Sequence, residues 1–102
     1  MNKYSVIISE EAQQDLRNLS EVISFQYKAP LTSLKYLKGI YAEMRNLSSS
    51  AKSYSIQTRQ SLQQYEPYPR RVNYKKMAII FNVINDVVYI RRVIPSNTIA
   101  GL

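Results

Sequence analysis

Apolar and polar positions change their period several times along this chain, and each change marks an element. Lys3 to Ile8 carries Tyr4, Val6, Ile7 and Ile8, enough for a short strand. From Ser9 the apolar spacing lengthens. Ser9 offers a side-chain oxygen to the free amides of a helix start, and Glu10 and Glu11 place negative charge where the helix dipole favours it. Ala12, Leu16, Leu19, Ile23 and Tyr27 then fall on one stripe, while Asp15, Arg17 and Glu21 fall off it and are expected in water. Lys28-Ala29 forms a corner before Pro30, which opens a second helix. Its stripe is Leu34, Leu37, Tyr41 and Met44, widened by Ile40 and Leu47, with Lys35, Lys38, Glu43 and Arg45 on the other faces. Ser48-Ser49-Ser50 is expected to end it. Two helices on so short a link pack as an antiparallel hairpin, and Tyr27 and Tyr41 are expected in its core.

Residues 51–69 have no clear period. A short helix across Ile56 to Tyr65 and an irregular crossing are both compatible with them, and Pro67 and Pro69 force extension ahead of Arg70. The last third is plainer. Arg70 to Lys75 reads as a strand, Lys75-Lys76 as a tight turn, Met77 to Ile84 as an apolar strand, Asn85-Asp86 as a turn and Val87 to Ile94 as a strand. Strands so closely linked are antiparallel. Pro95 ends the last one, and the tail Ser96 to Leu102 has little capacity to fold alone. In the middle strand Ile79, Phe81 and Val83 face one way and Ile80, Asn82 and Ile84 the other. Both faces are mostly apolar, so the strand is central. The helix hairpin can cover one side, and something else, such as a partner, can cover the other.

A length of 102 residues fits a single domain, 1–102, with one core. The absence of cysteine and histidine removes disulfides, thiolate nucleophiles, the usual general base and the usual metal ligands. Seven carboxylates, none at ligand spacing, leave no metal site, and nothing points to a cofactor. No signal segment or membrane-length apolar run is visible, so a cytoplasmic protein without membrane contact is expected. The net charge of +7 is uneven: residues 1–50 carry six Lys/Arg against five Asp/Glu, and residues 51–102 carry eight against two. A neutral helical half and a basic sheet half point to nucleic acid, an anionic protein, or both; a merely solvated basic surface is the plainer alternative.

The candidate anion contacts are Arg70, Arg71, Arg91 and Arg92, with Lys75 and Lys76. Strict alternation puts Arg91 and Arg92 on opposite faces, with Arg92 beside Val88, Ile90 and Ile94. Arg71 and Arg92 are the favoured pair of contacts. The competing expectation is that one of them pairs internally with Asp15 or Glu43, since guanidinium suits partly buried ion pairs. Lys75-Lys76 at a turn is more often simple solvation. Tyr65 and Tyr68 flank the basic doublet and could stack on bases or receive a partner.

The ordered set of elements resembles the RelE/ParE family of bacterial toxins. The resemblance rests on the opening Tyr4-Ser5-Val6-Ile7-Ile8-Ser9 with Ala12 and Asp15-Leu16, and on an arginine (Arg70 or Arg71) entering the second strand. An Ile79-Ile80-Phe81 run and the ending Val88 to Ile94 complete it. It implies an α+β fold: an N-terminal strand, a two-helix hairpin, then three antiparallel strands, the strands forming one four-stranded sheet. It also implies the toxin of a type II toxin–antitoxin module, of the kind linked to plasmid stabilisation. Such a toxin arrests growth and is neutralised by a cognate antitoxin that folds onto it by docked helix or added strand. The RelE-like branch cleaves messenger RNA on the ribosome, using a central-strand arginine and a C-terminal tyrosine, lysine or histidine. Here Ala78 stands near the first position, and Val93 to Leu102 contains no Tyr, Lys, Arg or His. The ParE-like branch inhibits DNA gyrase without those residues, and this chain resembles it more closely, although its tail also lacks the basic residues common there. A degenerate, non-toxic binding module is the third implied possibility.

Overall fold

The computed structural model describes residues 3–99; Met1-Asn2 and the end of the expected tail, Ala100 to Leu102, lie outside the described residues. Strands β1 (Ser5–Ile8), β2 (Arg70–Tyr74), β3 (Met77–Ile84) and β4 (Val87–Pro95) form one sheet in the order β1-β4-β3-β2. β1 runs parallel to β4, while β2–β3 and β3–β4 are antiparallel. The expected α+β architecture is present, with β1 returned to the sheet by long-range pairing.

Helix α1 (Glu10–Glu21) starts as its sequence dictates, the Ser9 hydroxyl accepting from the Ala12 amide at 3.0 Å. It does not carry its stripe through to Tyr27. After Glu21 the chain widens into a π-helical turn, Val22–Gln26. An i→i+5 turn advances less per residue, so Tyr27 slides off the stripe and is 72% exposed rather than core. Pro30 occupies the first turn of α2 (Pro30–Ser50), where its missing amide costs nothing. The buried line of α2 is Ser33, Ile40, Met44 and Leu47, with Leu37 partly covered. Leu34 and Tyr41 lie at its margin and stay substantially exposed, which corrects their expected place in the core. Ser33 is tolerated inside because its hydroxyl donates to the Ser20 carbonyl at 3.3 Å, tying the two helices together. Ser48-Ser49-Ser50 does not stop the helix. The Ser50 hydroxyl donates back to the Asn46 carbonyl at 2.8 Å, and a 3-10 turn at Ala51–Ser53 follows.

The hairpin covers one face of the sheet. Ala12, Leu16, Ile40, Met44 and Leu47 pack there against Val72, Ile79, Phe81, Val88, Ile90 and Val93. Each of these side chains larger than alanine, fully buried, contributes about 1.5–3 kcal/mol. The other face is covered by the chain itself. Gln60–Tyr65 forms a 3-10 turn, preceded by an irregular stretch in which Ile56 bridges to Arg70. Leu62 from that turn and Ile99 from the tail close over Ala78 and Ile80, with Tyr65 and Ile94 alongside. Over this part of the sheet the cover that the sequence leaves open is supplied by the chain's own bridge and tail. The tail folds as far as Ile99 because Ile99 has an apolar place to go.

Candidate functional site

Four arginines frame the sheet, and a β-bulge decides where two of them point. Ile80 pairs with Arg92 but Phe81 pairs with Ile90, so Arg91 is the extra residue in β4. Strict alternation therefore fails at this point. Val88 and Ile90 lie in the helix-side core, while Arg92 and Ile94 share the other face with Ile80. Arg91 reaches that same face, where Nη1 donates to Asn82 Oδ1 at 2.8 Å and to the Glu66 carbonyl at 3.2 Å. Two arginines expected on opposite faces thus meet on one. Tyr65 sits between them: its ring centroid is 5.7 Å from the Arg91 guanidinium, and its hydroxyl accepts from Arg92 Nη1 at 3.3 Å.

Arg92 is held by an acid, as the competing expectation had it. Its Nε and Nη2 donate to the two oxygens of Asp15 at 2.7 and 2.9 Å. Asp15 also accepts the Val93 amide at 2.9 Å, so it is not in water as its place off the α1 stripe predicts. The reason lies in strand length. β1 ends at Ile8, opposite Ile90, and leaves the rest of the β4 edge without a strand neighbour. Helix α1 supplies the missing partners: Ser9 Oγ donates to the Arg91 carbonyl at 2.9 Å, and Asp15 takes the Val93 amide. The hydrogen bond to Asp15 raises the Arg92 guanidinium well above its ordinary pKa, with burial opposing it, so its charge is fixed across the working pH range.

Arg70 points to the helix side and clamps the bridge, Nη1 donating to the Tyr54 carbonyl at 2.6 Å. Arg71 lies on the second face in the same cross-strand row as Ile80 and Arg92. Its only side-chain bond among the described residues is Nε to Asn73 Oδ1 at 3.1 Å, on an edge strand. Lys75 begins the β2–β3 turn at φ 53°, with Nζ 5.5 Å from the ring centroids of both Tyr36 and Tyr74. Lys76 is exposed beside it. Tyr68 is exposed at φ 48°, its amide held by Glu66 Oε2 at 3.0 Å. The structure therefore gathers Arg71, Arg91, Arg92 and Tyr65 on one face, leaves Tyr68 beside the Glu66 and Pro67 carbonyls that join them, and sets Arg70, Lys75 and Lys76 apart.

Sequence reasoning missed Asn82. Its buried amide donates to the carbonyls of Tyr65 and Pro67, each at 2.7 Å, and its oxygen receives Arg91. A single amide in the apolar run Ile79-Ile80-Phe81-Asn82-Val83 was the available signal. Beside this network an open cavity of about 400 Å³ is floored by Ile7, Ile84 and Tyr89, with Asn82, Pro67 and Arg91 at its wall.

Arg92 has its guanidinium held by Asp15 and Tyr65, Arg91 has Nη1 engaged by Asn82 and Glu66, and Ala78 and Ile80 are wholly buried. Among the described residues no three His, Cys, Asp or Glu side chains come together as a metal site, and no helix is long and apolar enough to cross a membrane.

No protein-family model matches the chain, and no curated protein matches it. In three dimensions it is similar to a chain of the chromosomal ParDE TA system from P. aeruginosa. The TM-score is 0.75 and the identity 17%, over 91% of this chain and 96% of that one. At that identity the likeness establishes the fold.

Proposed function

We propose that this chain, as one domain over residues 1–102, is the toxin of a type II toxin–antitoxin module. It is held inactive in the cytoplasm by a cognate antitoxin, and once free it arrests growth by binding DNA gyrase rather than by cutting RNA. The fold shared with a chain of a ParDE system supports the toxin reading. The observation that carries the choice of mechanism is the filled second face. Ala78, near the place where the ribonuclease branch sets a catalytic arginine, is buried beneath Leu62 and Ile99. RNA cleavage needs a general base, a general acid and a held phosphate in contact. A patch of Leu62, Ile80 and Ile99 offers none of these. Of the four arginines on the sheet, Arg71, with one internal bond on an edge strand, is the one least engaged by the fold, and Lys76 and Tyr68 are exposed nearby in sequence.

Induced expression without antitoxin tests this reading when growth, the DNA-damage response and transcript 5′ ends are followed together. Arrest with a damage response and intact transcripts is expected. New ribosome-dependent 5′ ends would replace gyrase with messenger RNA as the target. Normal growth with soluble, folded protein would mean a binding module that has lost its toxicity.

A further inference from the structure

Among the described residues one buried side-chain polar atom bonds nothing, and that atom is Ser96 Oγ. An unpartnered buried hydroxyl is uncommon enough to ask for a reason. Ser96 lines an open cavity of about 510 Å³ at the end of the sheet, together with Lys75, Lys76, Met77, Pro95 and Asn97. Met77 pairs there with Pro95, and the Ser96 amide donates to the Lys76 carbonyl at 2.8 Å. The exit of β4 is thereby tied to the β2–β3 turn, and Ser96-Asn97 is held against the two lysines.

A two-residue hairpin turn favours Asn and Gly, because its residues adopt positive φ. Both places here are lysine, and Lys75 takes φ 53° all the same. Neither lysine makes an ion pair or a hydrogen bond among the described residues. Lys75 Nζ stands 5.5 Å from the ring centroids of Tyr36 and Tyr74, which hold its stem and leave its charge in place. The Asn97 side chain is exposed and equally unbonded. No carboxylate lines the cavity, and the turn that carries Asp86 lies at the other end of β3, about 23 Å away. An anion placed here meets two ammonium groups, an amide and a hydroxyl, with no acid to repel it. Serine χ1 moves between staggered positions, so Oγ can swing toward an oxygen in the cavity that its residue lines. Two cations match a phosphomonoester, which carries roughly −1.5 to −2 at neutral pH, better than a phosphodiester with its single charge. The volume exceeds a phosphate ion and falls among cavities of about 300–1,000 Å³ that take small molecules. Met77 and Pro95 offer an apolar surface to the rest of such a ligand.

We propose that the cavity between the β2–β3 turn and the exit of β4 binds a phosphomonoester, with Lys75 and Lys76 neutralising it and Ser96 and Asn97 fixing its oxygens. Arg71 is not among its residues, so the site stands or falls separately from the toxin reading. Amide chemical shifts of the whole chain are followed at fixed ionic strength as one of four probes is added. These are inorganic phosphate, adenosine 5′-monophosphate, adenosine and an oligonucleotide without a terminal phosphate. Phosphate and the monophosphate should give saturable shifts at Lys75, Lys76, Met77, Ser96 and Asn97, and adenosine none there. Tighter binding of the monophosphate than of phosphate marks a nucleotide ligand, and equal binding marks free phosphate; both uphold the site. Lys76→Ala and Ser96→Ala should each weaken binding about tenfold or more, the loss of one charge-assisted hydrogen bond. Neither side chain is bonded within the fold, so thermal unfolding without phosphate should not fall in either variant. Three results would overturn the proposal: shifts spread over Arg71 and the other surface cations, affinity indifferent to Ser96→Ala, or the unphosphorylated oligonucleotide bound as tightly at the same residues.

Discussion

Asp15→Ala separates a structural arginine from a functional one. The Asp15 carboxylate receives Arg92 at 2.7 and 2.9 Å and the Val93 amide at 2.9 Å, and its side chain is 12% exposed. Truncation strands a guanidinium and a backbone N–H. Hydrogen bonds to charged groups contribute about 1.5–3 kcal/mol when sheltered, against about 0.2–1 kcal/mol for an exposed pair. The Arg92 side chain is 35% exposed, so solvent screens part of the interaction. The whole clasp is then worth about 2–3 kcal/mol, between those limits. In a domain of this size that lowers Tm by roughly 10–20 °C. Arg92→Ala should cost nearly as much, and the double variant little more, giving a coupling of about 2 kcal/mol. Urea denaturation measures this as a lower midpoint at unchanged slope. Growth arrest on induction should weaken in parallel for both single variants and return at lower temperature, because what is lost is folded protein. If Arg92→Ala abolished arrest with its midpoint unmoved, Arg92 would be a target contact and the clasp reasoning would be wrong.

Further substitutions probe the rest of the structure. Gly39→Ala, which in an open helix stabilises by about 1 kcal/mol, should destabilise here, because a Cβ would overlap the Tyr74 ring. Calorimetry should show the sign reverse in a Tyr74→Ala background. Leu62→Ala should cost about 2–5 kcal/mol through the cavity it leaves over Ile80, seen as a lower urea midpoint and faster exchange at Ala78 and Ile80. Asn82→Ala removes the donor that the Tyr65 and Pro67 carbonyls share, and should loosen residues 60–68 in hydrogen exchange before the sheet. Arg71→Glu should move stability by no more than about 0.5 kcal/mol yet abolish arrest; retained arrest would remove Arg71 from the target contact.

What the sequence disclosed was what is local. The caps, the hairpin turns and the order of elements follow from spacing and residue type within a few positions, as with Ser9 ahead of Glu10-Glu11 or Asn85 at φ 55° in its turn. What escaped depends on a second strand or a distant segment. The bulge at Arg91 exists only as a mismatch between two strands, so no rule of alternation in β4 alone assigns the faces of Arg91 and Arg92. Asp15 was legible only as one of two possible acids for an arginine, and its bond to the Val93 amide was not legible at all, because these partners are 77 and 78 residues away. Leu62 and Ile99 are lone apolar residues in polar surroundings, and only the sheet shows that they meet over Ile80. Tyr27 was lost to a change of helical pitch that no residue type announces.

The order β1-β4-β3-β2 also sets when this protein can exist. β1 is made before β4, yet among the described residues β4 is its one strand partner, and the Ser9 hydroxyl reaches a carbonyl 82 residues later. At synthesis rates of about 5–20 residues per second, the Val6-Ile7-Ile8 segment waits on the order of several seconds for that partner to be made. Until then the hairpin lacks much of the floor it packs on. Closing so long a loop is entropically slow and comes after local structure. The sheet and the surfaces built on it are therefore acquired together, once β4 has been made.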